Sequence, residues 1–132
     1  MTIKQNNQFT AIDFRYLKDD ALAGGTGAEV DNAFGTSGKL YFIYANNTDT
    51  SGDTGYLKLY DTNLPITEGT TVPDFEFKIV ADTAVADGLH VFNFPEGLTF
   101  SSGFGYTIST AAGTTAGSAL SPDLINLLFV FK

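Results

Sequence analysis

Cysteine is absent from the 132 residues, which excludes disulfides, thiolate metal sites and a cysteine nucleophile together. The chain must be held folded by packing and hydrogen bonding alone. Tryptophan is also missing, and histidine occurs once. One imidazole cannot build a transition-metal site without further nitrogen or sulfur ligands. That histidine, His90, lies in Leu89-His90-Val91-Phe92, a strand-like setting rather than the exposed loop that suits a general base, and no Ser–His–acid arrangement can be assembled around it. Basic residues are scarce, seven Lys and Arg against fifteen Asp and Glu, for a formal charge of −8. They are scattered singly, which argues against nucleic acid, whose phosphates need clustered cations. An evenly spread acidity suits solubility at high concentration.

Long apolar runs are lacking too. The longest, Leu127 to Phe131, is strand-sized, far short of the roughly 20 residues of a membrane-spanning helix. The start, Met1 to Asn7, shows no apolar core of the secretory kind, so the sequence predicts a protein made in the cytosol that stays there or leaves by a route the residues do not reveal.

What is present speaks for strands. Phe, Tyr, Thr, Val and Ile dominate the apolar segments, and Gly, Asn, Asp and Pro separate them. No segment carries a capped stripe of 3.6-residue period. Strands are expected over Gln8–Tyr16, Leu40–Ala45, Gly55–Tyr60, Phe75–Ala81, Leu89–Phe94, Tyr106–Thr110 and Ile125–Phe131. Phe75, Phe77 and Ile79 alternate with Glu76 and Lys78, and Leu57 and Leu59 alternate with Tyr56, Lys58 and Tyr60. The last strand is apolar on both faces, with Ile125, Leu127, Phe129 and Phe131 on one and Leu128 and Val130 on the other. Such a strand is either central in a sandwich or covered by another subunit. Polar loops follow at 46–55 and 62–73, and a tight turn is expected at Pro95-Glu96-Gly97. Ala21–Thr36 reads as a long Gly- and Ala-rich connection anchored by Val30 and Phe34. The expectation is therefore one all-β domain, a β-sandwich or jelly-roll-like fold, with residues 1–36 as an N-terminal strand or arm and 37–132 as the body.

The search for chemistry yields little. Asp49 and Asp53 share a Gly/Ser/Thr loop of a kind that can hold calcium, but the full spacing of a calcium loop is missing, and turn-forming Asp explains the pair with fewer assumptions. Gly24-Gly25-Thr26-Gly27 lacks the Lys of a phosphate loop. No catalytic set and no cofactor site emerge, so a non-enzymatic protein is expected. Aromatics are the stronger signal: twelve Phe and six Tyr. Tyr41, Tyr44, Tyr56 and Tyr60 fall in two strands that are neighbours in sequence, which reads either as the rim of an amphipathic sheet or as a sugar- or protein-binding face.

From Gly55 onward the order of blocks is distinctive. Tyr56-Leu57-Lys58-Leu59-Tyr60-Asp61 is followed by a Pro- and Thr-rich loop, then by Phe94-Pro95-Glu96-Gly97-Leu98-Thr99-Phe100-Ser101-Ser102-Gly103 and Gly105-Tyr106-Thr107-Ile108-Ser109-Thr110. Over roughly the last 75–80 residues this resembles a family of small tailed-phage virion proteins, several of them capsid decoration, or cement, proteins. The resemblance implies a β-sandwich that oligomerises on the capsid lattice, often as a homotrimer. It also implies the major capsid protein as partner, a place on the capsid exterior after synthesis in the host cytoplasm, and no catalytic residues. Within that frame Phe9, Phe14 and Tyr16 are the candidate capsid contacts, and Leu128 and Val130 the candidate oligomer interface. The alternative is a head- or tail-fibre module that touches a host receptor or glycan through its tyrosines.

Overall fold

The computed structural model describes residues 29–50, 52–118 and 125–132, and the backbone of 15–19. Among the described residues seven strands run in chain order: β1 (Arg15–Asp19), β2 (Gly38–Asn47), β3 (Gly55–Tyr60), β4 (Phe75–Ile79), β5 (Leu89–Phe100), β6 (Gly105–Ser109) and β7 (Ile125–Phe131). No helix occurs among the described residues. The strands form two antiparallel sheets, one in the order β1-β7-β2-β5 and the other in the order β4-β3-β6. The protein is all-β, with its core between the sheets.

Alternation decides which side chains enter that core. Along β7, Ile125, Leu127, Phe129 and Phe131 are buried while Asn126, Leu128 and Val130 are half-buried. The strand lies between β1 and β2, so its two apolar faces belong to a central strand. Leu57 and Leu59 of β3 meet this layer from the other sheet. Phe104 ties the layers together, standing edge-on to Phe100 at 4.9 Å and to Phe129 at 5.1 Å. Aromatic pairs in such geometry contribute about 0.5–1.5 kcal/mol beyond the area they bury.

One feature of the body differs from the sequence reading. Pro95-Glu96-Gly97 does not reverse the chain. Strand β5 runs through it, and between the pairs Phe42–Asn93 and Leu40–Leu98 the single residue Tyr41 of β2 faces all of Phe94–Gly97. The segment is a bulge. Pro95 has no N–H to give a ladder, and Gly97 takes a φ of 76°, so the extra residues leave the pairing without ending it.

Of the N-terminal strand expected over Gln8–Tyr16, residues 8–14 lie outside the described residues, while Arg15 and Tyr16 open β1. β1 is a strand of the four-stranded sheet, paired with β7 from Arg15–Phe131 to Asp19–Leu127. Further along, Val30 and Tyr106 exchange backbone hydrogen bonds at 2.8 and 3.0 Å, and the Ala33 N–H donates to the Phe104 carbonyl. Phe34 stacks on Phe131 at 4.5 Å, nearly parallel. Val30 and Phe34 are thus anchors, Val30 on the free edge of β6 and Phe34 against Phe131 and Phe104.

Candidate functional site

The two sheets present outer faces of opposite character. On the four-stranded sheet, Phe42 pairs with Val130, and Tyr44 pairs with Leu128 on one side and Val91 on the other. Because Ile43 and Ala45 point into the core, these neighbours face outward. They are only half-buried, and Val91 is 48% exposed. A depression of about 250 Å³ opens beside Tyr44, Asn126 and Leu128. An apolar, partly exposed face of this kind, crossing three adjacent strands, has the composition of an interaction surface.

Leu128 and Val130 both lie on that face, as their alternation demands. Tyr16 pairs with Val130 through the backbone, so a residue expected to contact the capsid and one expected to contact another subunit sit side by side on adjacent strands. Phe9 and Phe14 lie outside the described residues.

The outer face of the three-stranded sheet is covered over β3 and β6, where Lys58, Tyr60, Thr107 and Ser109 are buried, while Glu76 and Lys78 of β4 remain exposed. The loop after β3 folds back so that Ile66 closes over β6. A side chain at Gly105 would come within 2.3 Å of the Ile66 Cδ1 atom, which is why glycine stands there. Residues 29–31 hold this loop: the Glu29 carboxylate accepts the Glu68 N–H at 2.9 Å, and the Asp31 carboxylate accepts the Ile66 N–H at 2.9 Å. A second loop, after β6, lies alongside, its Gly113 N–H donating to Glu76 of β4 at 2.5 Å.

Beneath the two loops is a polar layer. Lys58 donates to Glu68 at 2.5 Å, and both side chains are wholly buried. The Ser109 hydroxyl donates to the same Glu68 oxygen, and Lys58 also donates to the Thr115 carbonyl at 3.0 Å. Tyr60 and Thr107 complete the layer, their hydroxyls without a hydrogen-bond partner among the described residues. Burial, followed by the negative charges of Glu68, Glu29 and Glu76, pushes the Tyr60 phenol well above its ordinary range. The Lys58–Glu68–Ser109 set has no open path for a substrate. A signal for it was present in the sequence, a lysine between Leu57 and Leu59 and flanked by two tyrosines on its own face, but Glu68 is brought to it only by the fold.

The four tyrosines do not make one face. β2 and β3 belong to different sheets, so Tyr44 looks out from one side of the sandwich while Tyr60 is buried on the other. Proximity in sequence suggested a cluster, and the change of sheet between β2 and β3 disperses it.

The loop carrying Asp49 and Asp53 is organised by a neighbour. The Asn47 side chain accepts the Asp49 N–H at 3.1 Å and donates to the Asp53 carbonyl at 2.9 Å, an Asx turn of the kind that short polar side chains form. Among the described residues no group of three or more His, Asp or Glu is placed to hold a metal ion. His90 lies beside Phe92, as the strand pattern predicted, with the rings nearly parallel and 6.4 Å apart.

The blocks Tyr56–Asp61 and Phe94–Gly103 meet in space. Asp61, at the end of the first block, accepts the N–H groups of Ser101 at 3.0 Å, Ser102 at 2.8 Å and Gly103 at 3.4 Å, at the end of the second. No family model, curated protein or solved structure matches the chain.

Proposed function

We propose that this protein is a structural component of a tailed-phage virion, a capsid decoration protein that binds and stabilises the assembled head shell as a homo-oligomer. The observation that carries the reading is the outer face of the four-stranded sheet, where Phe42, Tyr44, Leu128 and Val130 leave apolar surface part-exposed across adjacent strands. A face of this kind is suited to a flat protein partner, whereas the outer face of the other sheet is loop-covered over β3 and β6 and charged along β4, where Glu76 and Lys78 are exposed. The resemblance of the Gly55–Thr110 blocks supplies the class of partner, the major capsid protein, and favours three subunits. Such a protein acts by mass action. A ligand that binds only the assembled shell stabilises it by RT ln(1 + [L]/Kd), with no chemistry required.

Phage lacking the protein tests this. Heads should still assemble, and they should rupture at lower temperature and at milder osmotic shock than complete heads. Adding the purified protein back should restore their resistance. Heads as robust as wild type, together with a collapse of adsorption to host cells, would overturn the reading in favour of a receptor- or glycan-binding fibre module.

A further inference from the structure

The Lys58–Glu68 contact has a chemistry that a binding role does not use. Its atoms are 2.5 Å apart and neither side chain reaches solvent. Glu68 Oε1 accepts from both Lys58 and Ser109, whereas Oε2 has no partner among the described residues. Among the described residues Lys58 Nζ has one other acceptor, the Thr115 carbonyl. As an ion pair the arrangement is poorly matched. Two charges are withdrawn from water, and among the described residues an ammonium with three protons meets two acceptors while one carboxylate oxygen meets no donor.

As an amide the same atoms are fully matched. The single remaining Nζ–H has the Thr115 carbonyl to donate to, Oε1 becomes a carbonyl that keeps the Ser109 hydroxyl, and the unpartnered Oε2 is gone. We infer that Lys58 and Glu68 condense within the folded protein to form an intramolecular isopeptide bond.

The step balances without a cofactor or oxidant. Protons pass from the Lys58 ammonium to the Glu68 carboxylate, and the freed amine lone pair attacks Cδ. The Nζ–Cδ bond forms, the Cδ–Oε2 bond breaks, and Oε2 leaves as water with two protons that began on nitrogen. One ammonium and one carboxylate become one amide and one water. The Ser109 hydroxyl is a positioning group that donates to Oε1, where negative charge gathers at the tetrahedral stage. Holding the two groups in contact makes the attack unimolecular, and burial excludes the water that would reverse the reaction. The product ties β3 covalently to the loop that covers it.

The intact mass of the purified protein, measured after denaturation, is the test. The expected value lies below the mass of the sequence by one water, about 18 Da. Trypsin should fail to cut after Lys58, leaving a peptide of residues 40–78 that is short by the same water and linked internally from Lys58 to Glu68. A succinimide at Asp87-Gly88 loses the same mass, but it would fall in the peptide of residues 79–132. The variants Lys58→Met and Glu68→Ala should regain the full sequence mass. A wild-type protein of full mass, a deficit that maps outside residues 40–78, or a deficit that survives in Lys58→Met each overturns the inference. The wild-type mass and its peptide map decide even if a variant does not fold.

Discussion

The side chain of Asn47, at the end of β2, donates a hydrogen bond to the carbonyl of Ile79, at the end of β4, at 3.2 Å. β2 and β4 lie in different sheets, so this bond joins the two layers at one end of the sandwich. Asn47 is wholly buried, and its backbone adds bonds from its N–H to Gly88 and from Asp82 to its carbonyl.

Asn47→Ala strands two carbonyls and one N–H that the side chain now serves. Unpaired buried groups cost about 1–3 kcal/mol each, less where water can reach them. A loss of roughly 2–4 kcal/mol in urea unfolding is expected. Asn47→Asp should be worse at neutral pH, because a carboxylate cannot donate to the Asp53 and Ile79 carbonyls. If the loop at 49–53 is held by these bonds, EDTA leaves the melting temperature of the wild type unchanged. A fall in EDTA that calcium reverses would assign the loop to a cation instead.

Asp61→Ala removes the acceptor shared by the N–H groups of Ser101, Ser102 and Gly103. Charge-assisted bonds of this kind are the stronger ones, but the turn is largely exposed and water can replace part of the loss. The expected cost is about 1–2 kcal/mol, with faster amide exchange at 101–103. Unchanged exchange there would show that the turn holds itself.

Tyr60→Phe should leave stability at pH 7 unchanged or raise it by up to about 1 kcal/mol, since the lost hydroxyl is buried without a described partner. Its sharper signature is alkaline. The folded state holds the phenol neutral past the point, about pH 10, where an unfolded tyrosine ionises. Above that pH the unfolded chain binds fewer protons than the folded one, so stability is retained below pH 10 and falls as pH rises beyond it. Alkaline titration of Tyr60→Phe should show a shallower fall than wild type. A fall of equal slope assigns the loss to other groups.

Leu128→Asp and Val130→Asp place a charge on the outer face of the four-stranded sheet without touching the core. If that face joins subunits, the wild type at micromolar concentration scatters light as an oligomer, with a trimer expected, and each variant as a folded monomer. An unpaired charge at a dry interface costs several kcal/mol, enough to split such a contact. A monomeric wild type rules the interface out.

Much of this protein was determined by the sequence itself. Six of the seven strands lie where β-branched and aromatic runs end at Gly, Pro, Asn and Asp, because strand formation and turn chemistry are local. The inward faces of β3 and β7 follow from a period of two, and Leu128 and Val130 reach the outer face for the same reason. Three things only the tertiary structure decided. Pro95-Glu96-Gly97 carries a turn signal, yet pairing on both sides of it keeps β5 in one sheet, since a strand held at each end absorbs extra residues as a bulge. Tyr44 and Tyr60 are close in the chain yet lie on opposite sides of the sandwich, since nothing local reveals that β2 and β3 join different layers. Lys58 alternates with Leu57 and Leu59 and so faces away from the core, and its burial depends on Glu68, Ser109 and Thr115 arriving from elsewhere in the chain. Periodicity records which way a side chain points; what comes to cover it is a long-range event that no local pattern encodes.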